Sequence, residues 1–160
     1  MKAGAVLMLL CIPLAAVSQS YVQGASMAEI AGARGGLAVH LGAADAKTTF
    51  ELANTQRWIT LELACTTSDA DKVQAVVHER GAAGLITVGV WEGKTLRLAD
   101  HMANLIVVDP SVKIDQDEVL RVLVPERGTA LVREGDRWLA LQKPMPKNLD
   151  GWTHYEEKDS

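Results

Sequence analysis

Cysteine is nearly absent. Cys11 and Cys65 are all the chain holds, too few for a disulfide framework. Basic charge is short as well. Sixteen Lys and Arg stand against twenty Asp and Glu, a formal charge of −4 with a pI near 5.5. No basic run is interleaved with aromatics, which make up only 4% of the residues. That balance excludes a general electrostatic attraction to nucleic acid or an anionic membrane. His40, His78, His101 and His154 are scattered, without the short spacing of a zinc site. No apolar run reaches the roughly 20 residues that a membrane-spanning helix needs. What remains is ordinary globular composition, 48% hydrophobic and 22% charged over 160 residues, which suits one domain with a real core.

The chain opens on an apolar stretch. Lys2 gives a short positive start, and Ala3 to Val17 is interrupted only by Gly4 and Pro13. Ala16 and Ser18 put small residues at the −3 and −1 positions of a cleavage point before Gln19. These are the parts of a signal peptide over residues 1–18, implying export to the periplasm or the outside. Gly24 is a second cleavage point, and a buried N-terminal helix is the other reading. Leu10 before Cys11 is not small, which argues against a lipid-attachment site. Export would leave Cys65 alone, with no intramolecular disulfide and no cysteine-based metal site.

Beyond the leader two periodicities alternate. Leu37–Leu41 is a short apolar run that reads as a buried strand, and Thr48–Asn54 as a short helix. In Trp58–Ala64 the residues Ile59, Leu61 and Leu63 alternate with Thr60 and Glu62, which is strand spacing. Asp69–Arg80 carries Val73, Val76 and Val77 at helical spacing, with Ser68 or Asp69 as the cap and Gly81 as the stop. Leu85–Trp91 and Asn104–Val108 read as strands, and Asp115–Leu123 as a helix. Thr129–Arg133 and Trp138–Leu141 flank a Glu-Gly-Asp turn and form a hairpin. This order predicts an α/β fold over residues 26–142, a mostly parallel sheet with helices on both faces. Ligands of such sheets bind beyond the carboxyl ends of the strands. The loops after Leu41, Ala64, Val90 and Val108 are therefore expected to rim any site.

Val39-His40-Leu41-Gly42-Ala43-Ala44-Asp45-Ala46, followed by Thr48-Thr49-Phe50-Glu51-Leu52, resembles the first motif of class I S-adenosylmethionine-dependent methyltransferases. Glu118 to Pro125 is similar to the helix that precedes their fifth strand. The resemblance implies a Rossmann-like, shortened methyltransferase-type domain with a late β-hairpin. It also implies a cofactor site at Gly42, Ala44, Asp45, Ala46, Cys65, Glu92, Gly93 and Asp109. Several of these depart from the family's pattern. Ala44 and Ala46 stand where glycines let the backbone approach the cofactor, and each methyl penalises left-handed backbone. His40 replaces the acidic residue near the end of the first strand. Cys65 falls where an acid would hold the ribose hydroxyls, and a thiol supplies no charge-assisted acceptor. Glu62, three residues earlier, points to the opposite face by strand alternation. Glu92 keeps an acidic group by the adenine position. Asp109 either faces a substrate or caps the turn before Pro110. The expectation is a degenerate site that binds S-adenosylmethionine weakly or not at all, without metal. His40 is expected to be a satisfied strand residue rather than a base, and Trp58, Trp91 and Trp138 core residues.

A narrower resemblance rests on Gly93-Lys94-Thr95-Leu96, Asn104-Leu105-Ile106-Val107, Lys143-Pro144-Met145-Pro146-Lys147 and Gly151-Trp152-Thr153-His154-Tyr155. These runs are similar to bacterial exported proteins in which a methyltransferase-like region precedes a pyrroloquinoline-quinone-binding-like β-propeller. The resemblance implies that residues 143–160 form an extended tail or linker. Pro144 and Pro146 take that tail out of the sheet. Trp152 and Tyr155 are then docking residues for an adjacent or separate propeller domain, although Trp152 could instead fold back on its own sheet. Three function classes follow: a scaffold or binding module, an active or cofactor-binding methyltransferase with an unknown acceptor, and a truncated remnant. Export weighs against the second, because S-adenosylmethionine is expected to be a cytoplasmic metabolite.

Overall fold

Apolar runs bounded by turn residues become strands, and the 3.6-spaced stretches between them become helices. A computed structural model of the chain describes residues 18–22, 35–42, 46–54, 58–134 and 137–145. Its strands are β1 (Ser18–Val22), β2 (Gly36–Leu41), β3 (Trp58–Ala64), β4 (Ile86–Val90), β5 (Leu105–Val108), β6 (Thr129–Glu134) and β7 (Arg137–Gln142). The helices are α1 (Lys47–Ala53), α2 (Thr67–Glu79) and α3 (Gln116–Val122). Each element after β1 falls within two residues of its expected bounds. The cap of α2 is different: Thr66, not Ser68 or Asp69, accepts a hydrogen bond from the Asp69 amide at 3.1 Å. Thr66 is extended, with φ −133° and ψ 153°, and that backbone aims the hydroxyl at the third helical amide. Asp115 caps α3 in a related way, through the amide of Asp117 at 3.0 Å.

The sheet has seven strands in the order β1-β7-β6-β5-β2-β3-β4. Strands β2 to β6 run parallel, and β7 returns antiparallel to β6 as a hairpin. That hairpin leaves a row of outward amides and carbonyls on β7, and backbone groups of this kind demand partners. Ser18–Val22 pairs antiparallel with them, Ser18 opposite Gln142 and Val22 opposite Trp138. The sequence reading had no strand here. Its domain range began at 26, so the sheet extends eight residues further toward the start than expected.

Strand alternation divides the core between two faces. On one face Ala38, Leu105, Val107 and Trp58 pack against Leu52 of α1. Phe50 and Ala53 meet Val73 and Val77 of α2 over Ile86. On the other, Val39, Leu41, Ile106 and Val108 pack against Val119 and Val122 of α3. Helices thus cover both faces, as the α/β order predicts. Burying such side chains contributes about 1.5–3 kcal/mol each. At the C-terminal side the chain stays tied to the body through Lys143. Its carbonyl accepts from Glu126 N at 2.8 Å, and its Nζ lies 2.8 Å from His101 Nδ1 and donates to the Arg121 carbonyl at 3.3 Å. Lys143, the first residue of the expected 143–160 tail, is thus bonded to the body of the domain. Residues 1–17 of the expected leader, and Trp152 and Tyr155 of the expected tail, lie outside the described residues.

Candidate functional site

Strand order reverses at β2, which has β3 on one side and β5 on the other. The crevice beyond the carboxyl ends of β2 and β5 is where an open α/β sheet holds its ligand. Gly42 lies there with φ +103°. A Cβ at this position would come within 2.1 Å of Val112 Cγ2 and 3.2 Å of Asp109 Cβ. Only glycine fits, and the chain's own Val112 fills the adjoining space. Asp109 builds the turn that brings Val112 in. Its Oδ1 accepts from Ser111 N at 3.1 Å and Ser111 Oγ at 2.9 Å, and its carbonyl accepts from Val112 N at 2.9 Å. Of the two roles expected for Asp109, capping a turn is the one this geometry performs.

The other expected residues are spread around the same rim. Cys65 is exposed just after β3. Partial burial of its sulfur, then the charges of Asp109, Asp69 and Glu62, push the thiol above its ordinary value. It stays a neutral thiol at physiological pH. Glu92 follows β4 in an exposed ion pair with Arg97 at 3.2 Å, and Gly93 takes the turn at φ +85°. Ala46 forms the N-terminal end of α1 without a side-chain cap, its carbonyl accepting from Phe50 N. Ala44 and Asp45 lie outside the described residues.

Beneath α1 the structure assembles a buried polar cluster that sequence reasoning did not. His40 and Glu62 are opposite each other in the β2–β3 register and are 2% and 0% exposed. His40 Nδ1 lies 2.6 Å from Glu62 Oε2 and 3.0 Å from Thr49 Oγ1, and Thr49 donates to the same carboxylate oxygen. His40 is a satisfied strand histidine, as expected. Glu62 Oε1 and the hydroxyl of neighbouring Thr60 have no partner among the described residues. The available signal was a polar residue at the same depth in each of two apolar strands.

The connection between β4 and β5 carries no helix and is latched to α3 instead. Arg121 donates to the carbonyls of Leu96 and Leu98, both at 3.0 Å, to Asp100 at 2.6 Å and to both Glu118 oxygens at 2.8 Å. Glu118 Oε1 in turn accepts from Leu96 N at 2.6 Å. The guanidinium holds the Glu118 carboxyl below its ordinary value, and Glu118 with Asp100 raises that of Arg121. Planar forks of this kind fix geometry as well as charge.

No family model and no curated protein matches the chain. Solved structures do. A protein assigned as an S-adenosyl-L-methionine-dependent methyltransferase from Methanococcus maripaludis superposes with a TM-score of 0.65 at 12% identity, over 74% of this chain and 82% of that one. One assigned as a sarcosine dimethylglycine methyltransferase from Galdieria sulphuraria gives 0.59 at 19%, over 66% of this chain and 42% of that one. The [4+2]-cyclase SpnF gives 0.57 at 16%, over 68% and 45%. The chain thus spans less than half the length of the Galdieria protein. Its fold is the Rossmann-like one of class I methyltransferases. At these identities the likeness concerns fold alone, and fold does not carry function.

Proposed function

We propose that the chain is a methyltransferase-like domain that has given up cofactor binding and serves as a binding or scaffold module of an exported protein. The observation that carries this reading is Val112 against Gly42 at the switch point, where the fold would otherwise admit a ligand. Cys65 supports it, since a neutral thiol offers the ribose hydroxyls no charged acceptor. Asp109 is engaged by its own turn, and Glu92 by Arg97. These residues do not fit S-adenosylmethionine.

Export is proposed from residues 1–18, with Gln19 as the mature start. Trp152 and Tyr155 are proposed as the anchors that meet an adjacent or separate β-propeller domain. Calorimetry of the mature chain with S-adenosylmethionine and S-adenosylhomocysteine tests the central reading. No heat of binding is expected. Losing a charged acceptor costs roughly 1.5–3 kcal/mol per hydrogen bond, and the Val112 side chain adds a steric barrier. Micromolar affinity that falls on Glu92→Gln would instead establish a cofactor-binding methyltransferase domain.

A further inference from the structure

The latched segment after β4 roofs a second cavity, of about 580 Å³. Gly42, Cys65 and Asp109 do not line it. Leu61 and Leu63 of β3 line it together with Val90, Trp91 and the exposed Lys94. Val90 stays 44% exposed, an apolar surface left open to solvent. Glu92 and Arg97 also line it, but they neutralise each other across 3.2 Å. Lys94 has no ion-pair partner among the described residues, so the lining carries an uncompensated positive charge. The roof is held in place without a ligand, because Arg121 and Glu118 grip Leu96 on both its amide and its carbonyl. Leu96 itself is buried at 2% exposure. A preformed cavity of this size, lined by apolar side chains with a few polar groups among them, is what small-molecule sites look like, and pre-organisation removes part of the ordering cost of binding.

We propose that this cavity binds a small amphipathic anion, an apolar body bearing one carboxylate or sulfonate. The apolar part lies over Leu61, Leu63 and the Trp91 ring, and the acidic group meets Lys94. Glu92 is common to this cavity and to the cofactor site that the resemblance implies, but the proposal rests on Lys94 and Val90, which belong to this cavity alone. It is tested by fluorescence titration of the full chain with two dyes, anionic 1-anilinonaphthalene-8-sulfonate and uncharged N-phenyl-1-naphthylamine. One saturable site is expected for the anionic dye. Lys94→Glu should weaken that dye about fivefold, the order expected for an exposed charge contact, and leave the uncharged dye within about twofold. Val90→Glu should weaken both. Lys94 is exposed, so both Lys94→Glu and the milder Lys94→Gln should melt like the parent chain. The absence of a saturable site, or equal effects of Lys94→Glu and Lys94→Gln on both dyes, would overturn the proposal. So would unchanged binding in Val90→Glu.

Discussion

Glu62 has one carboxylate oxygen shared by His40 and Thr49 and the other without a partner among the described residues, all buried under α1. Removing one member of a buried pair leaves the other uncompensated, which costs about 3–5 kcal/mol. His40→Ala is expected to lose that much in urea denaturation. Thr60→Val should do the opposite. It deletes a buried hydroxyl that has no partner among the described residues, and stability should rise by about 1 kcal/mol. Gly42→Ala combines a positive φ with a clash against Val112, and about 1–3 kcal/mol should be lost. Shrinking the neighbour with Val112→Ala should return only part of that, because the backbone strain remains. The same melts would expose the opposite result, full recovery, if φ carried no cost. Gly42 was legible in the sequence because a glycine ending an apolar run signals a special turn. What fills the space beside it was not.

At the scale of elements, the link between β4 and β5 depends on the Arg121 fork. Arg121→Gln keeps a donor but loses the charge and the bidentate geometry. Native-state hydrogen exchange at Leu96 is expected to accelerate, with exchange in the core strand β5 nearly unchanged. The same contact makes stability pH-dependent. Arg121 holds the Glu118 carboxyl below its ordinary value in the folded chain. The contribution is therefore fully present above the ordinary carboxylate range and lost as pH falls through the lowered folded value. Denaturant midpoints measured down the acid limb should fall more steeply for the parent chain than for Arg121→Gln. Glu118 and Arg121 are three apart on α3 and readable as a helical pair. Their grip on Leu96, Leu98 and Asp100 depends on a loop whose path no periodicity encodes.

For the whole molecule, the test lies at the sheet's outer edge. Cleavage before Gln19 would remove Ser18 and leave the rest of β1 on β7. A chain starting at Gln19 is expected to melt with the full one. A chain starting at 23 should melt lower and aggregate, since β7 would expose an unpaired edge. At the other end, truncation after Met145 should leave the melting temperature unchanged. Truncation after Gln142 should lower it, because Lys143 holds Glu126, His101 and the end of α3. Equal melting of those two truncations would show that the Lys143 contacts contribute nothing.

From β2 onward the elements, their order and the α/β class were legible in the sequence. Hydrophobic period, caps and turn residues are local properties, readable one segment at a time. The sequence also marked the crevice rim, because a strand that ends in an α/β sheet must end at that rim. Which groups meet was set by the packing of distant segments. His40 faces Glu62 because β2 and β3 are neighbours in one particular register. Val112 lies against Gly42 because the Asp109 turn folds back over the switch point. Ser18–Val22 became a strand because the hairpin of β6 and β7 left an edge to pair. Each of these depends on contacts between residues distant in the chain, and a pattern confined to a window of sequence carries no record of them.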